Sequence, residues 1–268
     1  TCMEQRKTGP APTADEAFSD RPQEDIIAGR NAVAEALRAG RAIDSVLLAK
    51  GDRAGSISAL AAQCRRKGLL VKEVDSRKLD ALCGPNHQGI AALAACKETV
   101  TLDELFAAAE AKGEPPFFVV CDELEDPHNL GAILRTAETA GVHGVVIPKR
   151  RSAGLTSAVY KASAGAVEYV PVARVSNITD ALREMKKRGV WVYGLDMDGE
   201  TWCSVDMKGA AAVVVGSEGR GISRLVKEQC DFIVSLPMRG HITSLNASVA
   251  CGIVLYEAAR QRQGLAAK

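Results

Sequence analysis

The chain has 268 residues, of which 47% are hydrophobic, 25% charged and only 4% aromatic, and it carries a net charge of +1. This is an ordinary soluble composition, long enough for one large or two modest domains, and it gives no global signal for nucleic acid, although the part after residue 25 stands at +4. No apolar run approaches the roughly 20 residues that span a bilayer, and the eight cysteines are never closer than thirteen residues, so a Cys-x-x-Cys zinc or redox pair is excluded.

The thiols read as reduced and mostly buried. With no signal peptide in the sequence, a cytoplasmic protein is expected. Residues 1–24 carry Pro10, Pro12 and Pro22 among small and acidic residues with no apolar period, and a disordered tail is expected there.

Residues 25–96 alternate helix and strand. Helices are expected over 31–39, 56–67 and 76–82 and strands over 43–49, 69–74 and 90–95, with Gly40 and Gly68 as stops, which makes a small α/β domain. Residues 97–116 read as a linker. Thr101 and Glu104 form a capping box that opens a helix ending at Gly113, and Pro115 and Pro116 halt the chain before the next strand.

Over 117–268 strands are expected at 117–120, 144–147, 169–172 and 190–195, alternating with helices, one of them capped by Asn177; further strand and helix pairs follow. Such alternation predicts a mostly parallel sheet with helices on both faces and functional loops at the carboxyl ends of the strands. Three polar loops fall at such ends. The first runs Asp126, Pro127, His128, Asn129, with Asn129 expected at or near the helix N-cap and Arg135 presented near the helix start. The second follows Val213, Val214 and Val215: glycines at 216, 219 and 221 allow a tight turn and close approach to a ligand, with the acid Glu218 at its mouth. The third follows a strand of Phe232, Ile233, Val234 and Leu236, where Ser244 and Asn246 stand at the start of a helix whose apolar face runs Ala247, Ala250, Cys251, Val254, Leu255, Ala258. Taken singly each is an ordinary turn or cap; three in one domain point to one pocket. Lys149, Arg150, Arg151 and Lys161, and Arg65, Arg66 and Lys67 in the first domain, are candidate phosphate contacts.

The stretches Asn129 to Arg135 (NLGAILR), Gly216 to Gly221 (GSEGRG), and Leu236 to Met238 with Ser244 to Ala250 (LPM, SLNASVA) resemble, in order, the three motifs of the SpoU/TrmH branch of the SPOUT RNA 2′-O-ribose methyltransferases. Ala28 to Leu37 (AGRNAVAEAL) and His87 to Ile90 (HQGI) resemble the substrate-binding domain of the RlmB-type subgroup, which is similar to ribosomal protein L30e. The resemblance covers residues 26 to about 263.

It implies a C-terminal domain with a deep trefoil knot, which periodicity does not show, and transfer of methyl from S-adenosylmethionine to the 2′-hydroxyl of one guanosine in 23S rRNA, guanosine 2251. It also implies a cofactor pocket of Gly216, Leu236 and Leu245, a polar catalytic set of Asn129, Arg135, Glu218, Ser244 and Asn246, a homodimer, 23S rRNA or a large-subunit precursor as partner, and no metal. Family accounts make the arginine a base. A guanidinium stays protonated at ordinary pH, so clamping the substrate phosphate is the more conservative role for Arg135. The alternatives are methylation of tRNA guanosine 18, antibiotic-resistance methylation of rRNA, and a non-catalytic RNA-binding assembly factor.

Overall fold

The computed structural model describes residues 26–51, 55–94 and 97–266; the tail expected over 1–24 lies outside them. The first sheet is built from β1 (Ile26–Ala28), β2 (Ile43–Ala49), β3 (Leu70–Val74) and β4 (Ile90–Ala94) in the order β1-β4-β2-β3. β4 is antiparallel to β1 and β2, whereas β3 is parallel to β2. Helices α1 (Arg30–Arg38), α2 (Gly55–Arg66) and α3 (Ser76–Cys83) connect them. β1 was not legible in the sequence, because three consecutive buried residues carry no period.

Helix α4 (Leu102–Lys112) starts at the Thr101–Glu104 capping box and stops at Gly113 in the left-handed conformation. The second sheet follows, with strands β5 (Phe117–Cys121), β6 (Gly144–Pro148), β7 (Val172–Val175), β8 (Trp191–Thr201), β9 (Ala211–Val215) and β10 (Phe232–Ser235). All six are parallel, in the order β10-β8-β9-β5-β6-β7. β5 and β9 are buried along their whole length, which is why they read as unbroken apolar runs rather than alternating ones.

The intervening helices are α5 (Pro127–Thr139), α6 (Ser157–Ala162), α7 (Ile178–Lys187), α8 (Arg224–Lys227) and α9 (Ala247–Arg262). Ile178, Leu182 and Met185 of α7 join Leu105 and Phe106 of α4 on one face of the sheet. Leu130, Ile133, Leu134 and Ala137 of α5 and Cys251, Val254, Leu255 and Ala258 of α9 cover the other. That second cluster runs on into Ile27, Val33 and Leu37 beside the first sheet, so one apolar core crosses the junction.

The strand expected over 169–172 is displaced. Residues Ala166–Glu168 form a 3-10 turn, and the ladder begins only at Val172, paired with Val145. Pro171 causes the shift: it has no N–H to donate, and its carbonyl accepts the N–H of Val145 at 2.9 Å.

Candidate active site

The second and third polar loops line a cavity of about 610 Å³ at the carboxyl edge of the second sheet, and the first loop reaches its rim through Asn129, which is hydrogen-bonded to Glu218 and Asn246. Its walls are apolar from Leu195, Val234, Leu236 and Leu245, and polar from the turn 216–221 and from Ser244 and Asn246. This size and mixture suit a small organic ligand with a few oriented polar groups.

The turn after β9 is pinned at both ends. The N–H of Asp122 donates to the carbonyl of Val215 at 2.8 Å, and the buried Asp122 carboxylate accepts the N–H of Ser223 at 2.7 Å. Between them Ser217 and Gly221 exchange backbone hydrogen bonds of 3.1 and 2.9 Å. The chain folds back so closely that a Cβ on Gly216 would stand 2.0 Å from the carbonyl carbon of Gly221. Only glycine fits there.

Asn246 caps α9. Its Oδ1 accepts the N–H of Ser248 at 2.9 Å, the N–H of Val249 at 3.3 Å and the hydroxyl of Ser248 at 2.6 Å. That commitment leaves its Nδ2 facing the other loops, where it donates to Glu218 Oε1 at 2.6 Å and to Asn129 Oδ1 at 2.8 Å. Asn129 Nδ2 donates to the same Glu218 oxygen at 2.9 Å and closes a triangle. The cap therefore fixes the orientation of both amides and of the carboxylate.

Asn129 lies near the N-cap, as the sequence suggested, but is not the cap itself. Asp126 holds that place, accepting the N–H of His128 with Pro127 as the first helical residue, and Asn129 lies two residues further in, buried at 3% exposure. Proline at the first helical position moves the cap back to Asp126 and frees the Asn129 amide for the triangle. Arg135 is also displaced from the expected position. It sits in the third turn of α5, exposed, and among the described residues its side chain has no hydrogen-bond or ion-pair partner and does not line the cavity.

Ser244 and Leu245 line the cavity beside Asn246, as do Gly216, Glu218 and Leu236. The sequence reading missed Leu195, Asp196 and Met197. β8 pairs with β10 through Gly194 and again from Glu200, so the residues between leave the ladder and reach the cavity wall. The polar Asp196 and Asp198 with Gly199 after an apolar run were the available signal. Asp196 accepts from Lys227 Nζ at 2.6 Å, and that hydrogen bond raises the lysine pKa.

The fold and cavity define an α/β protein with room for a small ligand beside backbone turns at one sheet edge. A model of the SpoU rRNA methylase family matches residues 116–256, and a model for the substrate-binding domain of RNA 2′-O-ribose methyltransferases matches residues 26–100. YacO of Bacillus subtilis, named as a TrmH-family tRNA/rRNA methyltransferase, is 48% identical over 241 residues, covering 90% of this chain and 97% of YacO. Among solved structures, an RNA 2′-O-ribose methyltransferase superposes with TM-score 0.74 at 26% identity, covering 89% of this chain and 88% of its own. The S-adenosylmethionine-bound rRNA methyltransferase of Sinorhizobium meliloti gives 0.71 at 25% identity, covering 90% and 88%.

The chain belongs to the SpoU rRNA methylase family, whose members are S-adenosylmethionine-dependent RNA 2′-O-methyltransferases. The pocket fits that cofactor: the Gly216 cradle would be filled by any Cβ, and apolar walls face backbone polar groups.

Proposed function

We propose that this chain works in the cytoplasm as a homodimer that methylates the ribose 2′-oxygen of one guanosine in 23S rRNA, guanosine 2251. The observation that carries the catalytic part is the closed triangle of Asn129, Glu218 and Asn246 at the cavity. Three side chains up to 117 residues apart are held there in one geometry by a helix cap.

The bound cofactor supplies an electrophilic methyl group. Gly216, Leu236 and Leu245 would hold it through close backbone approach and apolar walls. The ribose hydroxyl must then be placed in line with that methyl and lose its proton. Asn129, Glu218, Ser244 and Asn246 position the reacting edge, while Arg135, a permanent cation, clamps the adjoining phosphate and orients the 2′-oxygen.

The ribosomal target is supported by the substrate-binding domain and by a superposition on the Sinorhizobium rRNA enzyme that spans both sheets. This domain reads folded RNA mainly by shape and unpaired bases. Lys149, Arg150 and Arg174 lie exposed at the carboxyl ends of β6 and β7, on the sheet edge that carries the cavity, and are placed to meet phosphates.

Dimerisation is supported by an exposed apolar stripe, Leu245, Val249, Ile253 and Tyr256, along the start and outer face of α9. For the location, no helix among the described residues is long and apolar enough to cross a membrane.

The test is transfer of labelled methyl to unmodified 23S rRNA with bulk tRNA alongside, followed by mapping of the ribose. Label at the single guanosine supports the reading. Label on tRNA alone overturns the target, and label on neither, with cofactor bound, overturns the catalytic reading on free RNA and favours an assembly factor.

A further inference from the structure

The junction between the two sheets holds charges that the transfer reaction does not use. Arg41, just after α1, and Glu168, in the 3-10 turn before β7, form an ion pair of 3.0 Å with side chains only 8% and 5% exposed. The Arg41 guanidinium also donates to the Tyr160 hydroxyl and stacks over the Tyr160 ring, 4.7 Å from its centroid. Beside it Lys97 Nζ donates to the carbonyls of Val167 and Val170, and the Tyr169 hydroxyl donates to Glu35 of α1 at 2.6 Å. Burial lowers the Lys97 pKa to about 8.

A buried ion pair is a poor stabiliser, since the cost of desolvating both charges offsets their attraction. What it adds is direction. A planar guanidinium satisfied on two sides permits one arrangement, where an apolar contact alone tolerates sliding. Contacts between domains of one chain ordinarily leave relative motion open.

The partners of Arg41 also lead to the reaction site. Tyr160 lies in α6 and Glu168 in the turn that follows it. α6 packs on α5 so tightly that a Cβ on Gly131 would stand 2.4 Å from the Cβ of Ala162. α5 carries both Asn129 and Arg135.

We propose that Arg41 is a positioning residue for methyl transfer: paired with Glu168 and Tyr160, it locks the substrate-binding domain in one orientation on the methyltransferase domain and couples that orientation through α6 to α5. The substrate domain thereby acts as a ruler. RNA held on it meets Arg135 and the triangle at a fixed distance. This rests on RNA being the substrate, whichever RNA that is.

The test compares full-length wild type with Arg41→Lys and with the double variant Arg41→Met, Glu168→Gln, which removes both members of the ion pair together. Single-turnover transfer, RNA affinity, S-adenosylmethionine affinity and the melting temperature are measured on whichever RNA the wild type methylates. A wrong target thus shows as a wild type inactive on 23S rRNA and stays separate from a wrong role for Arg41. We expect the double variant to keep both affinities within about threefold while its transfer rate falls at least about tenfold, since a displacement near 1 Å has costs of this size or greater. Arg41→Lys, which keeps the charge but not the fork, should recover part of the rate. A full transfer rate in the double variant overturns the proposal. So does a rate loss matched by equal losses in cofactor affinity and melting temperature, which would make the pair merely structural.

Discussion

Replacing Glu218 by Gln keeps the shape of the triangle and removes its charge. Glu218 Oε1 accepts two amide donors, at 2.9 Å from Asn129 and 2.6 Å from Asn246. The Asn246 amide cannot turn round, because its oxygen is committed to the N–H groups of Ser248 and Val249. A glutamine must therefore present its own oxygen to both donors and put an NH2 where the second carboxylate oxygen stood. Hydrogen bonds to a charged acceptor contribute about 1.5–3 kcal/mol and neutral ones about 0.5–1.5, so the exchange costs roughly 1 kcal/mol per bond, or about 2 in all. Glu218 and Asn246 are exposed while Asn129 is buried, and water screens about half of that difference. What remains, about 1 kcal/mol, is a roughly fivefold loss of correctly ordered triangle. Single-turnover transfer to RNA should fall about fivefold while calorimetric S-adenosylmethionine affinity stays within about threefold, since the cradle at Gly216 is untouched. A rate within twofold of wild type would refute the idea that the Glu218 charge holds the two amides for the reaction.

Gly216→Ala should act on the other side of the pocket: a methyl 2.0 Å from the Gly221 backbone forces the turn open, and calorimetry should show cofactor affinity falling by about 100-fold or more. Arg135→Ala should abolish transfer and largely spare cofactor binding, because the residue stands outside the cavity lining; near-normal turnover by the folded variant rejects the phosphate clamp. Ile253→Asp puts a charge into the exposed stripe of α9 and should shift the particle mass in sedimentation from dimer to monomer, whereas an unchanged mass removes the stripe as the interface. His143 gives a pH test. Its Nδ1 accepts the N–H of Phe117 at 3.0 Å and its Nε2 donates to Glu114 at 3.1 Å, and burial first, then the charge of Lys112, lower its pKa below 6.5. The folded state favours neutral imidazole, so this contribution is complete above the unfolded value near 6.5 and is lost as pH falls below it, by at most about 1.4 kcal/mol per pH unit. Urea midpoints at pH 7.5 and 5.5 should differ less in His143→Gln than in wild type; equal differences would rule the histidine out as the source.

Local signals in the sequence were sufficient for those features whose physics is local. The capping box at Thr101 and Glu104, the cap at Asn177, the Gly113 stop and the apolar runs of β5 and β9 each involve residues a few positions apart, and each stands in the structure. The shift of β7 by Pro171 and the cap at Asp126 were also local, yet they required choosing between neighbouring breakers of similar strength. Strand order, the passage of β8 along the cavity wall and the pairing of Arg41 with Glu168 leave no local trace. These depend on which surfaces meet once the chain is packed.

The triangle shows the division most clearly. That Asn129, Glu218 and Asn246 occupy polar breaks after apolar runs was written in the sequence, because each break is fixed by its own few residues. That they share hydrogen bonds across 89 and 117 residues of chain was decided only by the parallel sheet, which brings the carboxyl ends of β5, β9 and β10 to one edge. Secondary structure follows from periodicity and capping over one or two turns, whereas a site joins groups whose proximity only closure of the core can create.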